Sequence, residues 1–213
     1  MSPQGSSSLS ISGEILLKSG FVFPLNKLKK IIPEKGTQQD SKNIFRMIEK
    51  YGQDTGYTDL EWEKLIQKNR IENNEYIFSH LNKRNIKLNF EILKNYITSQ
   101  FLIPPPDTNN LPQFTKYFGS YYSDNKIDFY ELYNSGSEPM KIAILKSLAY
   151  TNDIDAVNFL IDKLTSVDRL RAEAAYNSLK KISGKDPADD LKKENYDIDV
   201  ILFFRDYASK MKK

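Results

Sequence analysis

Apolar positions in the C-terminal half of the chain follow the period of an amphipathic helix, and the pattern recurs. The segments that begin at Pro139 and Leu170 align at an offset of 31 residues. Small or apolar residues then occupy equivalent positions, in the pairs Ala143 and Ala174, Ile144 and Ala175, Leu145 and Tyr176, Ser147 and Ser178, and Leu148 and Leu179. The same offset places Phe129, Tyr130 and Tyr133 over Leu160, Ile161 and Leu164. Recurrence at one offset predicts repeated helix pairs that bury their apolar faces against their neighbours.

Upstream of the repeat, apolar residues keep helical spacing but show no recurrence that can be aligned. Residues 9–23 are an exception, because their loose alternation fits either a short hairpin or a buried irregular arm. Pro24 suits the first turn of a helix that Pro33 and Gly36 end. Four further helices are predicted on apolar stripes, at Ser41–Gly52, Thr58–Asn69, Glu72–Arg84 and Ile86–Phe101.

Prolines set the predicted domain boundary. Residues 102–112 contain four of them and are predicted to form an extended linker. The linker separates a helical N-terminal region, residues 9–101, from the repeats, residues 113–213. Residues 1–8 are polar and are interpreted as a flexible leader, either native or left by cloning. A closing helix is predicted from Asp197 to Lys212 with a polar outer face, and its inward residues are Val200, Ile201, Phe204 and Tyr207.

Composition narrows the function classes. The net charge is +3, and residues 111–213 hold 16 basic and 16 acidic side chains. This balance falls short of the basic surface of a dedicated nucleic-acid binder, so nucleic acid is not the expected partner. The lack of cysteine excludes disulfides, thiolate zinc sites and cysteine nucleophiles. No apolar run approaches the roughly 20 residues of a transmembrane helix. Localisation stays open between the cytoplasm and, if a signal peptide has been removed, the periplasm.

Side chains that could carry chemistry are sparse, and a structural interpretation is favoured for each. His80 is the only histidine and has no clustered ligand near it in sequence, so we expect it to be packed or solvent-facing. Trp62 is expected in the core, whereas one of Tyr121 and Tyr122 is open to exposure and stacking. The remaining charged groups fit turns, caps and solvated helix faces; they are Asp186, Asp189, Asp190, Asp197 and Asp199, and Lys27, Lys29, Lys30 and Lys35. We therefore predict no catalytic residue, cofactor, metal ion or small-molecule substrate.

The repeat resembles a known family. Residues 170–179 are similar to the pattern V-R-x-x-A-A-x-x-A-L of bacterial HEAT-repeat and HEAT-like (PBS-lyase-type) proteins, and residues 153–164 resemble the helix before it. The earlier repeat departs from the pattern, with Met140 at the position of the arginine. The resemblance implies an all-α fold, a short right-handed α-solenoid preceded by irregular helices. It also implies a structural role for Arg171, with Asp168 as a partner near in sequence.

For function, the resemblance favours an interaction scaffold with a protein partner. In this class the second helix of each pair usually lines the concave face. On that basis the residues expected to contact the partner are Lys126, Asp128, Glu131, Asn158, Asp162 and Lys163. Two alternatives remain open. One is a HEAT-like enzyme or nucleic-acid binder, similar to the glycosylases that remove alkylated bases or the lyases that attach bilins. The other is a structural subunit of a cell-envelope or motility assembly.

Overall fold

The computed structural model describes residues 56–68, 70–102, 106–187 and 196–211. Within these ranges the chain forms nine α-helices and no strand, so the predicted all-α class is confirmed. Two compact units divide between Gln100 and Phe101. Several predictions lie outside the described residues: the 9–23 hairpin or arm, the helices after Pro24 and Ser41, the basic group of Lys27, Lys29, Lys30 and Lys35, and the pair Asp189 and Asp190.

The first unit contains α1 (Asp59–Gln67), α2 (Glu75–Arg84) and α3 (Phe90–Gln100). Thr58 begins α1 with a capping box, in which its hydroxyl accepts from the Glu61 N–H and the Glu61 carboxylate accepts from the Thr58 N–H. Helix α2 ends at Asn85, whose left-handed backbone (φ 51°) breaks the helix before the predicted start of the next one. As a result α3 begins at Phe90 instead of Ile86.

The second unit contains six of the described helices. They are α4 (Pro112–Gly119), α5 (Lys126–Ser135), α6 (Glu138–Leu148), α7 (Ile154–Lys163), α8 (Arg169–Ser183) and α9 (Tyr196–Met211). Asp153 and Asp168 cap α7 and α8, since each carboxylate accepts hydrogen bonds from two N–H groups of the first turn. The consecutive helices α5 and α6 pack together, as do α7 and α8.

Helices α6 and α7 make the contacts that join these pairs to other helices of the unit. Helix α6 packs against α4 on one side and α8 on the other, and α7 packs against α9. The small residues that the repeat pattern singled out, Ala143, Ala174, Ala175 and Ser178, are all buried at these contacts. The Ser178 hydroxyl donates to the Leu145 carbonyl at 2.9 Å, which joins α8 to α6 directly.

The predicted linker is partly folded. Asp107 caps a 3-10 turn at Thr108–Asn110, and this turn packs against α6. Pro106 and Leu111 are buried on either side of the turn. Residues 106–111 therefore form a wall of the second unit, which the proline content of the segment did not indicate.

The last helix differs from prediction on its outer face. Val200 and Phe204 are buried as predicted, and Ile201 and Tyr207 are half-buried. Ile198 and Leu202, however, are 62% and 54% exposed. They are one helical turn apart and lie nearly opposite Val200 and Phe204, so the outer face of α9 is not uniformly polar. None of the described helices combines the length and the hydropathy that a membrane crossing requires.

Candidate functional site

A groove runs between α6 and α8 on the second unit. Its first part has a volume of about 320 Å³ and lies between α6, from Pro139 to Lys146, α8, from Leu170 to Asn177, and the wall formed by residues 106–109. An adjoining part of about 220 Å³ continues toward the ends of the two helices. The residues that define this α6–α8 groove are Pro139, Ile142, Lys146 and Tyr150 on the α6 side and Leu170, Glu173, Asn177 and Lys181 on the α8 side.

The two sides of the groove are equivalent positions of the repeat. At the offset of 31 residues, Pro139 pairs with Leu170, Ile142 with Glu173, Lys146 with Asn177, and Tyr150 with Lys181. Within each set the spacing is three, four and four residues, which places all members on one face of a helix. The groove is thus the space between two successive copies of the same surface stripe, with different side chains on each copy.

Lys146 is the most constrained cation in the groove. Its Nζ donates to the Asn109 Oδ1 at 2.8 Å and to the Thr108 Oγ1 at 3.2 Å, and both acceptors are neutral. Burial of the ammonium lowers the pKa of Lys146, while the charges of Asp107 and Glu173 act in the opposite direction. Within the described ranges, no carboxylate lies at ion-pairing distance from this ammonium.

A second cation lies at the same end of the groove. Lys181 is exposed, and its Nζ lies 3.4 Å from the centroid of the Tyr150 ring, a cation–π contact that holds the side chain over α6. Beyond it a more open cavity of about 680 Å³ is lined by Asn177, Lys180, Lys181 and Asp186, among others. Asp186 there accepts from the Lys180 ammonium and the Tyr176 hydroxyl, so it acts in a local network.

Arg171 fixes the first turn of α8 against α6. Its Nε lies 3.0 Å from the Glu138 Oε2 and 3.8 Å from the Asp168 Oδ2. The Tyr133 hydroxyl, with Glu138 and Asp168, raises the pKa of Arg171 above its ordinary value. The expected partnership with Asp168 is therefore present, and Glu138 from the preceding helix pair provides a closer one.

The six residues expected to contact a partner lie elsewhere. Lys126, Asp128 and Glu131 are on α5, and Asn158, Asp162 and Lys163 are on α7. Because α5 pairs with α6 and α7 with α8, these are the first helices of the pairs, not the second ones on which they were expected. The pairing follows from the two-residue connection at Gly136 and Ser137, which is too short to let α5 pair elsewhere.

Lys126 and Lys163, two of the six, make contacts that can be described. The Nζ of Lys126 lies 2.7 Å from carboxylate oxygens of both Asp153 and Asp155, which join α5 to the start of α7. The Nζ of Lys163 lies 4.7 Å from the Phe159 ring centroid and 5.3 Å from that of Tyr133. Glu131, Asn158 and Asp162 are exposed. Whether this face contacts a partner stays a prediction.

The remaining candidates are structural in the described part of the chain. Trp62 is buried as expected, and His80 is buried beside it with the ring centroids 6.0 Å apart. Tyr121 and Tyr122 are both buried, and their hydroxyls hydrogen-bond those of Tyr117 and Tyr130. Among the residues that the structure describes, no group of three His, Asp or Glu side chains could hold a metal ion.

Known families and structures offer no direct parallel, since no family model, no curated protein and no solved structure matches the chain.

Sequence reasoning missed the groove residues. The repeat alignment was applied to buried positions, and its register also determines the exposed ones. Continuing the same offset from Pro139 and Leu170 along each helix would have selected Lys146, Asn177 and Lys181. The wall at residues 106–109 had no such signal, because it depends on the long-range hydrogen bonds of Lys146.

Proposed function

We propose that residues 101–213 form a short right-handed HEAT-like α-solenoid and that the protein is a non-catalytic scaffold or adaptor that holds a protein partner in the α6–α8 groove. The observation that carries the proposal is the equivalence of the two groove walls. Successive copies of one surface stripe, separated by an open channel, are how repeat proteins build extended binding surfaces.

The chemistry of the groove supports a protein partner. Apolar surface at Pro139, Ile142 and Leu170 offers area that a side chain of a partner can bury. Asn177 is exposed in the middle of the groove and lines all three adjoining cavities. Its amide offers donors and an acceptor, which is the combination that pairs with a peptide backbone.

Site-specific photocrosslinking in the source cells tests this function. A photoreactive phenylalanine derivative replaces Asn177 in the groove of one variant and Asn158 on α7 in a matched variant. Both are exposed asparagines within helices of the same unit, so the two substitutions perturb the fold similarly. We expect the variant at position 177 to crosslink a discrete protein, identified by mass spectrometry, and the variant at position 158 to do so less.

Two outcomes would contradict parts of the proposal. Crosslinking at position 158 alone would move the binding surface to the α5 and α7 face, where the six residues predicted from the sequence lie. If neither variant captured a protein while the purified folded chain turned over a substrate in an enzyme panel, the scaffold function would be wrong.

A further inference from the structure

The two ends of the α6–α8 groove differ in charge. At its start, the apolar Pro139, Ile142 and Leu170 are accompanied by the carboxylates of Asp107 and Glu173. Lys146 lines both parts of the groove, and at the other end Lys181 joins it, with its ammonium over the Tyr150 ring. A partner that lies along the groove therefore meets an apolar, acidic region first and a cationic region second.

The 220 Å³ part of the groove, which holds Lys146 and Lys181, has no carboxylate among its lining residues, although the charges of Asp107 and Glu173 reach Lys146 from the adjoining part. Lys146 donates only to neutral oxygens of Thr108 and Asn109, and Lys181 is held over an aromatic ring. A partly desolvated ammonium with neutral partners gains from an incoming carboxylate, because an opposite charge offsets the cost of its burial. Burial lowers the pKa of Lys146 more than the charges of Asp107 and Glu173 raise it, so these carboxylates do not fully offset the cost of burying its ammonium.

We propose that the groove binds an extended segment of a protein partner whose acidic side chain lies between Lys146 and Lys181 and whose apolar side chain lies against Leu170 and Pro139. This inference rests on the proposed function and adds the chemistry and the register of the partner. Asp107 and Glu173 fix that register, since they repel an acidic side chain from the apolar end.

A carboxylate suits this end better than a phosphate. Lys146 and Lys181 lie in the last turns of α6 and α8, where the carbonyl ends of the helices carry partial negative charge. That partial charge weakens the attraction of the lysines for any anion, and the carboxylates of Asp107 and Glu173 interrupt the path that a row of phosphates would follow along the groove. A single carboxylate on a peptide therefore matches the site more closely than a nucleic-acid backbone.

The groove also sets the spacing of the two anchors. Leu170 and Lys181 are separated by about 16 Å along α8, at a rise of about 1.5 Å per residue. An extended peptide spans that distance in about five residues, at roughly 3.3 Å each. Because side chains an odd number of positions apart on an extended peptide face opposite ways, the expected motif is one apolar and one acidic residue about four or six positions apart, in either chain direction.

Fluorescence polarisation with the full chain and a labelled peptide library tests the proposal. The library fixes Leu and Glu four or six positions apart in both directions, and a second set carries Gln in place of Glu. We expect the Glu peptides to bind at least tenfold more tightly than the Gln peptides. Lys181→Glu should abolish this preference and favour peptides with Lys at the same place, and Lys181→Gln should abolish it without reversal.

Lys116→Glu on α4 is the matched control, because Lys116 is also an exposed lysine in the last turn of a helix of the second unit and the charge change is identical. Circular dichroism establishes that each variant is folded, and Lys181→Gln serves if Lys181→Glu does not fold. The proposal is wrong if Gln and Glu peptides bind alike, if Lys116→Glu has the same effect, or if a single-stranded oligonucleotide binds more tightly than every peptide. Absence of peptide binding together with a photocrosslink at position 177 would refute this motif and leave the scaffold function standing.

Discussion

Gly119 of α4 lies against the backbone of α6, where there is no room for a side chain. A Cβ atom at this position would overlap the carbonyl oxygen of Ser147, which is part of the α6 backbone. The same function is served between α6 and α8 by Ser178, whose short side chain fits and donates a hydrogen bond to the Leu145 carbonyl. Small residues thus set how closely neighbouring helices pack. The spacing of α6 and α8 in turn sets the width of the α6–α8 groove.

Gly119→Ala should destabilise the protein strongly. The added methyl group meets backbone and not a flexible side chain, so α4 has to move away from α6, and overpacking of this kind costs about 3 kcal/mol. Gly184→Ala is the matched control. Its added Cβ meets nothing within 4 Å, and only the left-handed backbone (φ 68°) opposes it, at about 1 kcal/mol. Urea unfolding followed by circular dichroism measures both; equal losses would show that the contact at Gly119 is not tight.

At the scale of helices, Asp153 at the start of α7 both caps the helix and forms an ion pair. The Asp153 carboxylate accepts from the N–H groups of Asp155 and Ala156, and it also pairs with Lys126 of α5. Partial burial on its own would raise the pKa of Asp153, but the ammonium of Lys126 and the two N–H groups outweigh it and lower the pKa. The cap therefore connects neighbouring helix pairs as well as starting a helix.

Asp153→Ala should cost about 1 kcal/mol at neutral pH, because the first turn of α7 loses its acceptor. Asp153→Asn keeps an acceptor and removes only the charge, so it should cost less. A lowered folded-state pKa gives stability that is complete above the ordinary aspartate pKa of about 3.9 and lost as the pH falls through the folded-state value. The difference in free energy of unfolding between the wild-type protein and Asp153→Asn should accordingly shrink as the pH falls below about 3.9. A gap between the two that did not change with pH would contradict the charge contribution.

Helix positions in the second unit could be predicted because the evidence for them is local. The spacing of apolar residues and the capping residues Asp153 and Asp168 can be recognised from a few adjacent residues. The recurring offset of 31 residues supports the same helix positions. Two features had no local signal. Residues 106–110 fold against α6 through contacts with Lys146, 36 or more positions away, and the exposure of Ile198 and Leu202 depends on what packs against α9.

For the molecule as a whole, the surface that a sequence argument selects depends on how the helices pair. The expectation that second helices carry the binding surface led to residues of α5 and α7, because the boundaries of the pairs were not assigned before the surface was. Once α5 pairs with α6 and α7 with α8, the same expectation points to α6 and α8 and so to Lys146, Asn177 and Lys181. Assigning the second helix of a pair one helix earlier thus moves a predicted surface to another face, even where the helices themselves are predicted.

The charge distribution of the second unit favours a protein over a nucleic acid as the proposed partner. Basic and acidic residues are equal in number across residues 111–213, and the two lysines of the groove share it with Asp107 and Glu173. Neutralising several phosphates requires a continuous basic surface. Because carboxylates interrupt this one, we expect no mobility shift of a short labelled duplex, even at low salt.

A double variant, Asp107→Asn with Glu173→Gln, provides the comparison for this last expectation, since it removes both groove carboxylates without changing the size of the side chains. Duplex binding by the double variant alone would show that the carboxylates exclude nucleic acid from the groove. If the wild-type protein bound duplex in a salt-sensitive way, and Lys181→Gln weakened that binding, the scaffold function would be contradicted. The glycosylase-like alternative would then be favoured. If neither form of the protein binds duplex, the groove lysines do not bind nucleic acid. We then expect their ligand to be another anion, the acidic side chain of a protein partner.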